Sequence, residues 1–347
     1  MGIRVLIVDD SIFFRRFLTE KLSAHPNIEI VGYATNALEA KFAIPRIKPD
    51  VVTLDVEMPG MSGIELLKLI MTDFPVPVVL VSAVNMNVFD ALSAGAVDFV
   101  KKPDTSNPAA PQRFIQELVD KINIAKNAHL GILGRQAAQK PVQAPQPLQP
   151  AIIGMRSKSV LVAIGASTGG TEATLVVLKG LPKNTPGIVV VQHMPPGFTK
   201  MYADRMNGIC QMEVREAKDG DIVQQGLCLI APGDLQMKVV QSGTHYIVKC
   251  FKGEKVSGHC PSVDVLFHSV AEAAGRNSVG IIMTGMGKDG ADGLLHMRKS
   301  GAYTIGQDEE SCVVYGMPMV AFNIGAVAVQ APCDGISQVL KAHLNRL

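Results

Sequence analysis

Tryptophan is absent, aromatic residues make up only 5%, and cysteine is confined to six positions in the second half of the chain. None of Cys210, Cys228, Cys250, Cys260, Cys312 and Cys333 forms a C-x-x-C pair. The spacing therefore supports neither a zinc site nor a disulfide framework, and reduced thiols in a cytoplasmic protein are expected. An excess of one charge is also lacking. Lys and Arg number 33 against 31 Asp and Glu, a formal net charge of +2, so no nucleic-acid binding and no attraction to anionic membranes is predicted. No apolar run approaches the roughly 20 residues of a membrane span, so no membrane insertion is expected. The pair Asp9-Asp10 closes the first apolar run early, which argues against a secretory signal. What is present is a chain of 347 residues, 47% hydrophobic and 18% charged, a globular composition with length for two cores.

One stretch stands apart. Residues 136–150, QAAQKPVQAPQPLQP, lack apolar periodicity and read as an exposed, semi-extended linker. The expected organisation is a first domain over residues 1–128, a Gln/Pro-rich linker over 129–155 and a second domain over 156–347. In the first domain strand-like runs at 4–8, 28–34, 51–54, 76–81 and 98–100 alternate with helical patterns at 13–24, 38–47, 64–74, 88–95 and 112–128. That alternation predicts a five-stranded, doubly wound parallel α/β sheet. The second domain alternates less cleanly, with strands expected at 160–164, 188–191, 227–231 and 279–283. A short antiparallel hairpin is expected around Ser242-Gly243-Thr244, within a mainly parallel α/β domain.

Acidic residues fall at the carboxyl ends of the predicted strands: Asp9 and Asp10 after the first, Asp55 after the third. Ser82 ends the fourth and Lys102 the fifth. Strand ends of an open parallel sheet gather at the switch-point crevice, so these groups should converge. A divalent cation such as Mg²⁺ would relieve the repulsion of the carboxylates. Asp55 then becomes a candidate acyl-phosphate nucleophile, with Lys102 neutralising the transferring phosphoryl group. Any single acid here reads equally as a helix cap, Asp10 included. The segments VDDS (8–11), LDVEMPG (54–60), Ser82-Ala83 and Lys102-Pro103 resemble a two-component receiver domain. The resemblance implies phosphorylation of Asp55 by a chemotaxis histidine kinase and Mg²⁺ bound by Asp10, Asp55 and the Glu57 carbonyl, with Asp9 nearby. It also implies phosphoryl contacts from Ser82 and Lys102, and an aromatic switch at Phe99.

In the second domain GASTGG (165–170) joins a predicted strand to a predicted helix. A serine on such a turn is expected to expose its hydroxyl beside unpaired helix N–H groups. On the hexapeptide alone a nucleophile turn and an anion-binding glycine turn stay equally open. Ser167 needs a base, and the base an orienting carboxylate. His193 and Asp289 each follow a different predicted strand, which would bring all three to one sheet edge. Among eight histidines, His259 is the rival base, whereas His25, His129, His268, His296 and His343 have no motif context. The glycine-rich loop 285–290 could supply oxyanion donors, with Met286 contributing through its backbone.

GASTGG, QHMPPGFT (192–199), IAPGD (230–234), CPSVDVLF (260–267), TGMGKDG (284–290) and SCVVYGMP (311–318) resemble the chemotaxis receptor methylesterase family. The resemblance implies a catalytic triad of Ser167, His193 and Asp289, with Thr168 and Met286 at accessory positions. It implies a phosphorylation-activated esterase that demethylates glutamate methyl esters on chemoreceptor cytoplasmic helices, needing no cofactor for hydrolysis, and deamidates receptor glutamines. Cys260 and Met319 depart from the family pattern on loops expected to face substrate. The alternative is a phosphorylation-dependent binding or scaffold protein with an inactive hydrolase-like domain.

Overall fold

The computed structural model describes residues 2–82, 87–103, 108–130 and 160–347. The chain divides into two compact units, residues 1–141 and 142–347. The expected linker lies outside the described residues beyond position 130.

The first unit is a parallel sheet in the order β2-β1-β3-β4-β5. Its strands are β1 (Ile3–Val8), β2 (Ile28–Ala34), β3 (Val51–Asp55), β4 (Val78–Ser82) and β5 (Asp98–Lys101). Both faces are covered by helices α1 (Ile12–Ser23), α2 (Ala37–Ile47), α3 (Gly63–Asp73), α4 (Asn87–Ser93) and α5 (Ala110–Ala125). The central strands are therefore apolar on both sides; VVLVS of β4 is buried throughout. Helix starts follow capping chemistry. Ser11, not Asp10, caps α1 by accepting the Phe14 N–H, and Ser62 with Glu65 forms a capping box on α3. The strand order reverses between β1 and β3, so Asp9, Asp10 and Asp55 open onto the switch-point crevice.

The second unit carries seven parallel strands in the order β15-β14-β13-β6-β7-β10-β8. They are β6 (Leu161–Ala166), β7 (Ile188–Gln192), β8 (Glu213–Glu216), β10 (Leu227–Ile230), β13 (Ser278–Ile282), β14 (Tyr303–Gln307) and β15 (Val329–Ala331). A separate antiparallel sheet, β11-β12-β9, contains the expected hairpin as β11 (Gln236–Ser242) and β12 (His245–Phe251), with β9 (Ile222–Val223) at its edge. The helices are α6 (Gly170–Lys179), α7 (Phe198–Asn207), α8 (Val263–Ala274), α9 (Ala291–Lys299), α10 (Met317–Asn323) and α11 (Ile336–Leu344).

The α/β class and parallel character are as expected, but the sheet is larger than the sequence pattern indicates. Three of its seven strands escape the apolar signal for local reasons. β8 reads EVRE, β14 is interrupted by Gly306, and β15 has three residues. Register, rather than propensity, recruits them: β8 pairs with β10 over four residues and β14 with β13 over four.

Candidate active site

In the first unit Lys102 Nζ lies 2.6 Å from Asp55 Oδ2 and 3.0 Å from Asp9 Oδ2. Asp9 and Asp55 are buried, whereas Asp10 is exposed. Burial pushes the Asp55 carboxyl up; the Lys102 ammonium and the Glu57 N–H pull it down without cancelling the rise, and Asp9 adds to it. Lys102 is itself desolvated, but the two carboxylates hold its ammonium above its ordinary value. Its charge also lies 4.7 Å from the centroid of Phe14, a contact with no signature in the sequence. The Lys102 N–H donates to the Ser82 carbonyl, which ties β5 to β4 at this edge. The Ser82 hydroxyl is buried with no hydrogen-bond partner, an orphan donor beside the carboxylates' sheet edge. Phe99 is buried.

Asp9, Asp10 and Asp55 can each offer a carboxylate oxygen within 4.8 Å of the others. An all-oxygen, acidic donor set of this kind fits a hard divalent cation such as Mg²⁺.

In the second unit β13, β6 and β7 are neighbours, so the segments carrying Asp289, Ser167 and His193 leave the sheet side by side. The strand order reverses at β6, which puts Ser167 at the switch point. The Ser167 N–H donates to the Thr284 carbonyl (3.0 Å) and the His193 N–H to the Ala166 carbonyl (3.2 Å). These bonds carry the sheet ladder one step past the strand ends and hold the serine between its two flanking loops. Gln192 Nε2 donates to the Ser167 carbonyl at 2.8 Å, a positioning contact that the sequence marks only by adjacency to His193. As a residue Ser167 is mostly covered, at 8% exposure. Gly285 lets its loop come close to the serine: a Cβ there would lie 2.7 Å from Ser167 Cβ. Gly169, which caps α6, has φ +75°, a left-handed conformation that favours glycine.

Asp289 takes part in four hydrogen bonds. Its Oδ2 lies 2.8 Å from His193 Nε2 and accepts the Val263 N–H (2.8 Å). Its Oδ1 accepts the Ser262 hydroxyl (2.7 Å) and the Asp264 N–H (3.1 Å). The first turn of α8 is therefore an anion cradle for this carboxylate. Burial alone pushes Asp289 up, but His193, Ser262 and Val263 outweigh it and hold the carboxyl below its ordinary value. With Nε2 on the carboxylate, His193 Nδ1 is buried and has no hydrogen-bond partner. His259, the rival base, stacks flat on His193 with ring centroids 3.6 Å apart and planes 12° from parallel. The structure thus separates their places: His193 faces Asp289, and His259 covers the His193 ring.

Val263 is packed without slack. A Cβ on Gly165 would lie 2.1 Å from Val263 Cγ1, and one on Gly290 2.4 Å from the same atom. Gly165→Ala is therefore expected to cost about 1–3 kcal/mol as an overpacked core position. It should also disturb the Asp289 cradle, and denaturant unfolding of the variant beside the parent chain would measure the loss. Unchanged stability would show that the cradle can shift.

Of the oxyanion donors anticipated in loop 285–290, the Gly285 N–H is engaged with the Val314 carbonyl. The Met286 side chain is exposed, and Thr168 is buried next to Ser167.

These folds and constellations define a class: a receiver-type phosphoacceptor unit followed by an α/β serine-hydrolase unit on one chain. Residues 162–340 match the family model described as CheB methylesterase, and residues 5–108 match the response regulator receiver domain. The chain belongs to the CheB methylesterase family. A relative in Syntrophomonas wolfei subsp. wolfei, named protein-glutamate methylesterase/protein-glutamine glutaminase 2, is 52% identical over 99% of this chain and 98% of its own length. One in Escherichia coli (strain K12), named protein-glutamate methylesterase/protein-glutamine glutaminase, is 46% identical over 99% of this chain and 97% of its own. The crystal structure of the Thermotoga maritima CheB methylesterase catalytic domain covers 53% of this chain and 98% of that one, with 37% identity and a TM-score of 0.52. Full-length relatives bearing enzyme names leave the scaffold alternative without support. No described helix is long and apolar enough to cross a membrane.

Proposed function

We propose that the chain is a phosphorylation-activated protein-glutamate methylesterase acting on methylated chemoreceptor helices, and that it also deamidates receptor glutamines. The observation that carries this reading is the His193 imidazole, pinned through Nε2 to a four-bonded Asp289 with its buried Nδ1 left unpartnered. An imidazole whose Nε2–H donates to a carboxylate keeps its lone pair on Nδ1, so Nδ1 is the proton acceptor. His193 takes the Ser167 hydroxyl proton through Nδ1 as Oγ attacks the ester carbonyl carbon. Asp289 stabilises the imidazolium. The proton then passes to the departing methoxy oxygen and methanol leaves. Water attacks the acyl-serine by the same route in reverse, giving the glutamate carboxylate and regenerating Ser167. Glutamine deamidation is the same acyl transfer with ammonia leaving. Thr168 and Met286 flank the nucleophile, and their backbone N–H groups serve the developing oxyanion.

In the first unit Asp55 is the phosphoacceptor, supplied by a chemotaxis histidine kinase. Asp10, Asp55 and the Glu57 carbonyl, with Asp9 beside them, would hold Mg²⁺. The ion supplies charge neutralisation for phosphoryl transfer. Lys102 and the orphan Ser82 hydroxyl receive the phosphoryl oxygens, and Phe99 responds as the switch. A cytoplasmic location follows from these partners.

The test is methanol release from methylated receptor membranes, with and without Mg²⁺ and a small phosphodonor, beside labelling by a fluorophosphonate. Release that rises with phosphodonor and vanishes in Ser167→Ala is expected, as is a label on Ser167 that is lost in His193→Ala. An unlabelled chain that releases no methanol would sink the esterase reading.

A further inference from the structure

Outside both sites, two histidines that no motif singles out converge on neighbouring helices. His268 lies on α8 and His296 on α9, with their Nδ1 atoms 3.0 Å apart, ring centroids 5.2 Å apart and planes tilted by 50°. Both residues are half-buried, and neither ring makes another hydrogen bond among the described residues. Two neutral imidazoles in this pose share one proton, with the Nδ1–H of one donating to the Nδ1 lone pair of the other.

Two ring nitrogens 3.0 Å apart on two packed helices are also a partial donor set for a borderline transition metal. A tetrahedral ion with metal–nitrogen bonds of about 2.0–2.1 Å sets two nitrogens about 3.3 Å apart. The pair stands a few tenths of an ångström short of that, within reach of small side-chain rotations. Asp264 lies one turn before His268, and its carboxyl, pushed up chiefly by burial, accepts the Gly293 N–H at 2.8 Å.

We propose that His268 and His296 form a two-histidine site for a divalent transition-metal ion of the Zn²⁺, Co²⁺ or Ni²⁺ type. On binding, the donor imidazole moves its proton from Nδ1 to Nε2, so both Nδ1 lone pairs face the ion and a neutral pair releases no proton. Among the described residues no third histidine, cysteine or carboxylate group completes the set, since the one cluster of three is Asp9, Asp10 and Asp55. Water fills the remaining positions, and affinity falls well short of a four-ligand structural zinc site. The ion joins the two helices that frame Asp289: α8, whose first turn cradles it, and α9, which starts two residues after it.

The experiment titrates Co²⁺ into the full chain with excess Mg²⁺ present to occupy the carboxylate cluster. Visible absorption and calorimetry follow the binding. One saturating Co²⁺ is expected, without a thiolate-to-cobalt charge-transfer band. Binding should weaken at least tenfold in His268→Gln and in His296→Gln, and persist in Asp10→Asn. Equal binding in the histidine variants, a thiolate band or no saturation would overturn the site and leave the pair as a plain hydrogen bond between helices. Should a glutamine variant not fold, pulsed EPR of Cu²⁺ on the unmutated chain decides by counting imidazoles. Two support the site; one or none refutes it.

Discussion

Asp289→Asn is expected to lower kcat for methanol release by about 10⁴ with little change in KM, because an amide cannot hold the imidazole in the required tautomer. The reason is specific to this site. The carboxylate accepts four hydrogen bonds, from His193 Nε2, the Ser262 hydroxyl and the Val263 and Asp264 N–H groups. An amide has one accepting oxygen. Its NH₂ must face either the Ser262 hydroxyl and Asp264 N–H or the His193 ring and Val263 N–H, leaving donors opposed. If the ring stays, it turns its lone pair toward the amide and loses the free Nδ1 acceptor. Stability should fall as well. Asp289 sits below its ordinary carboxyl value of 3.8, so its contribution to stability is fully present above that value and is lost as pH falls through the lower, folded-state one. The gap in unfolding free energy between parent and variant should therefore be widest near neutral pH and narrow in acid. Steady-state kinetics with denaturant unfolding at several pH values would check both parts. A kcat within tenfold of the parent would remove Asp289 from the proposed chemistry.

The second large effect is expected at Asp55. Asp55→Asn should abolish phosphoryl incorporation from a small phosphodonor and with it the stimulation of methanol release, while phosphodonor-independent release persists. Asp55 and the triad lie in different units, so loss of stimulation alone would show that control passes from one to the other. A tenfold stimulation corresponds to about 1.4 kcal/mol of differential stabilisation, a modest demand on a two-state element. The substitution should not unfold the first unit. Burial raises the Asp55 carboxyl, so its ionised form weakens the fold relative to the neutral form, and a neutral amide is expected to leave the melting temperature unchanged or higher. Phosphoprotein electrophoresis and the methanol assay would read the outcome. Undiminished stimulation in the variant would place the phosphoacceptor elsewhere.

Sequence alone determined which polar residues gather at the strand ends. Parallel strands buried on both faces read as apolar runs, and polar residues at their carboxyl ends must gather at one edge; Asp9, Asp55 and Lys102 do so, and so do the segments holding Ser167, His193 and Asp289. What the sequence could not determine rests on residues far apart in the chain. That Ser262 turns its hydroxyl onto Asp289, 27 positions away, is a tertiary fact. So are the stacking of His259 on His193 and the meeting of His268 with His296 across 28 positions. Local pattern encodes backbone periodicity and burial, whereas ring orientation and hydrogen-bond partners are chosen only when packed elements exclude the alternatives. The first turn of α8 holds the Asp289 carboxylate, and His193 meets it through Nε2.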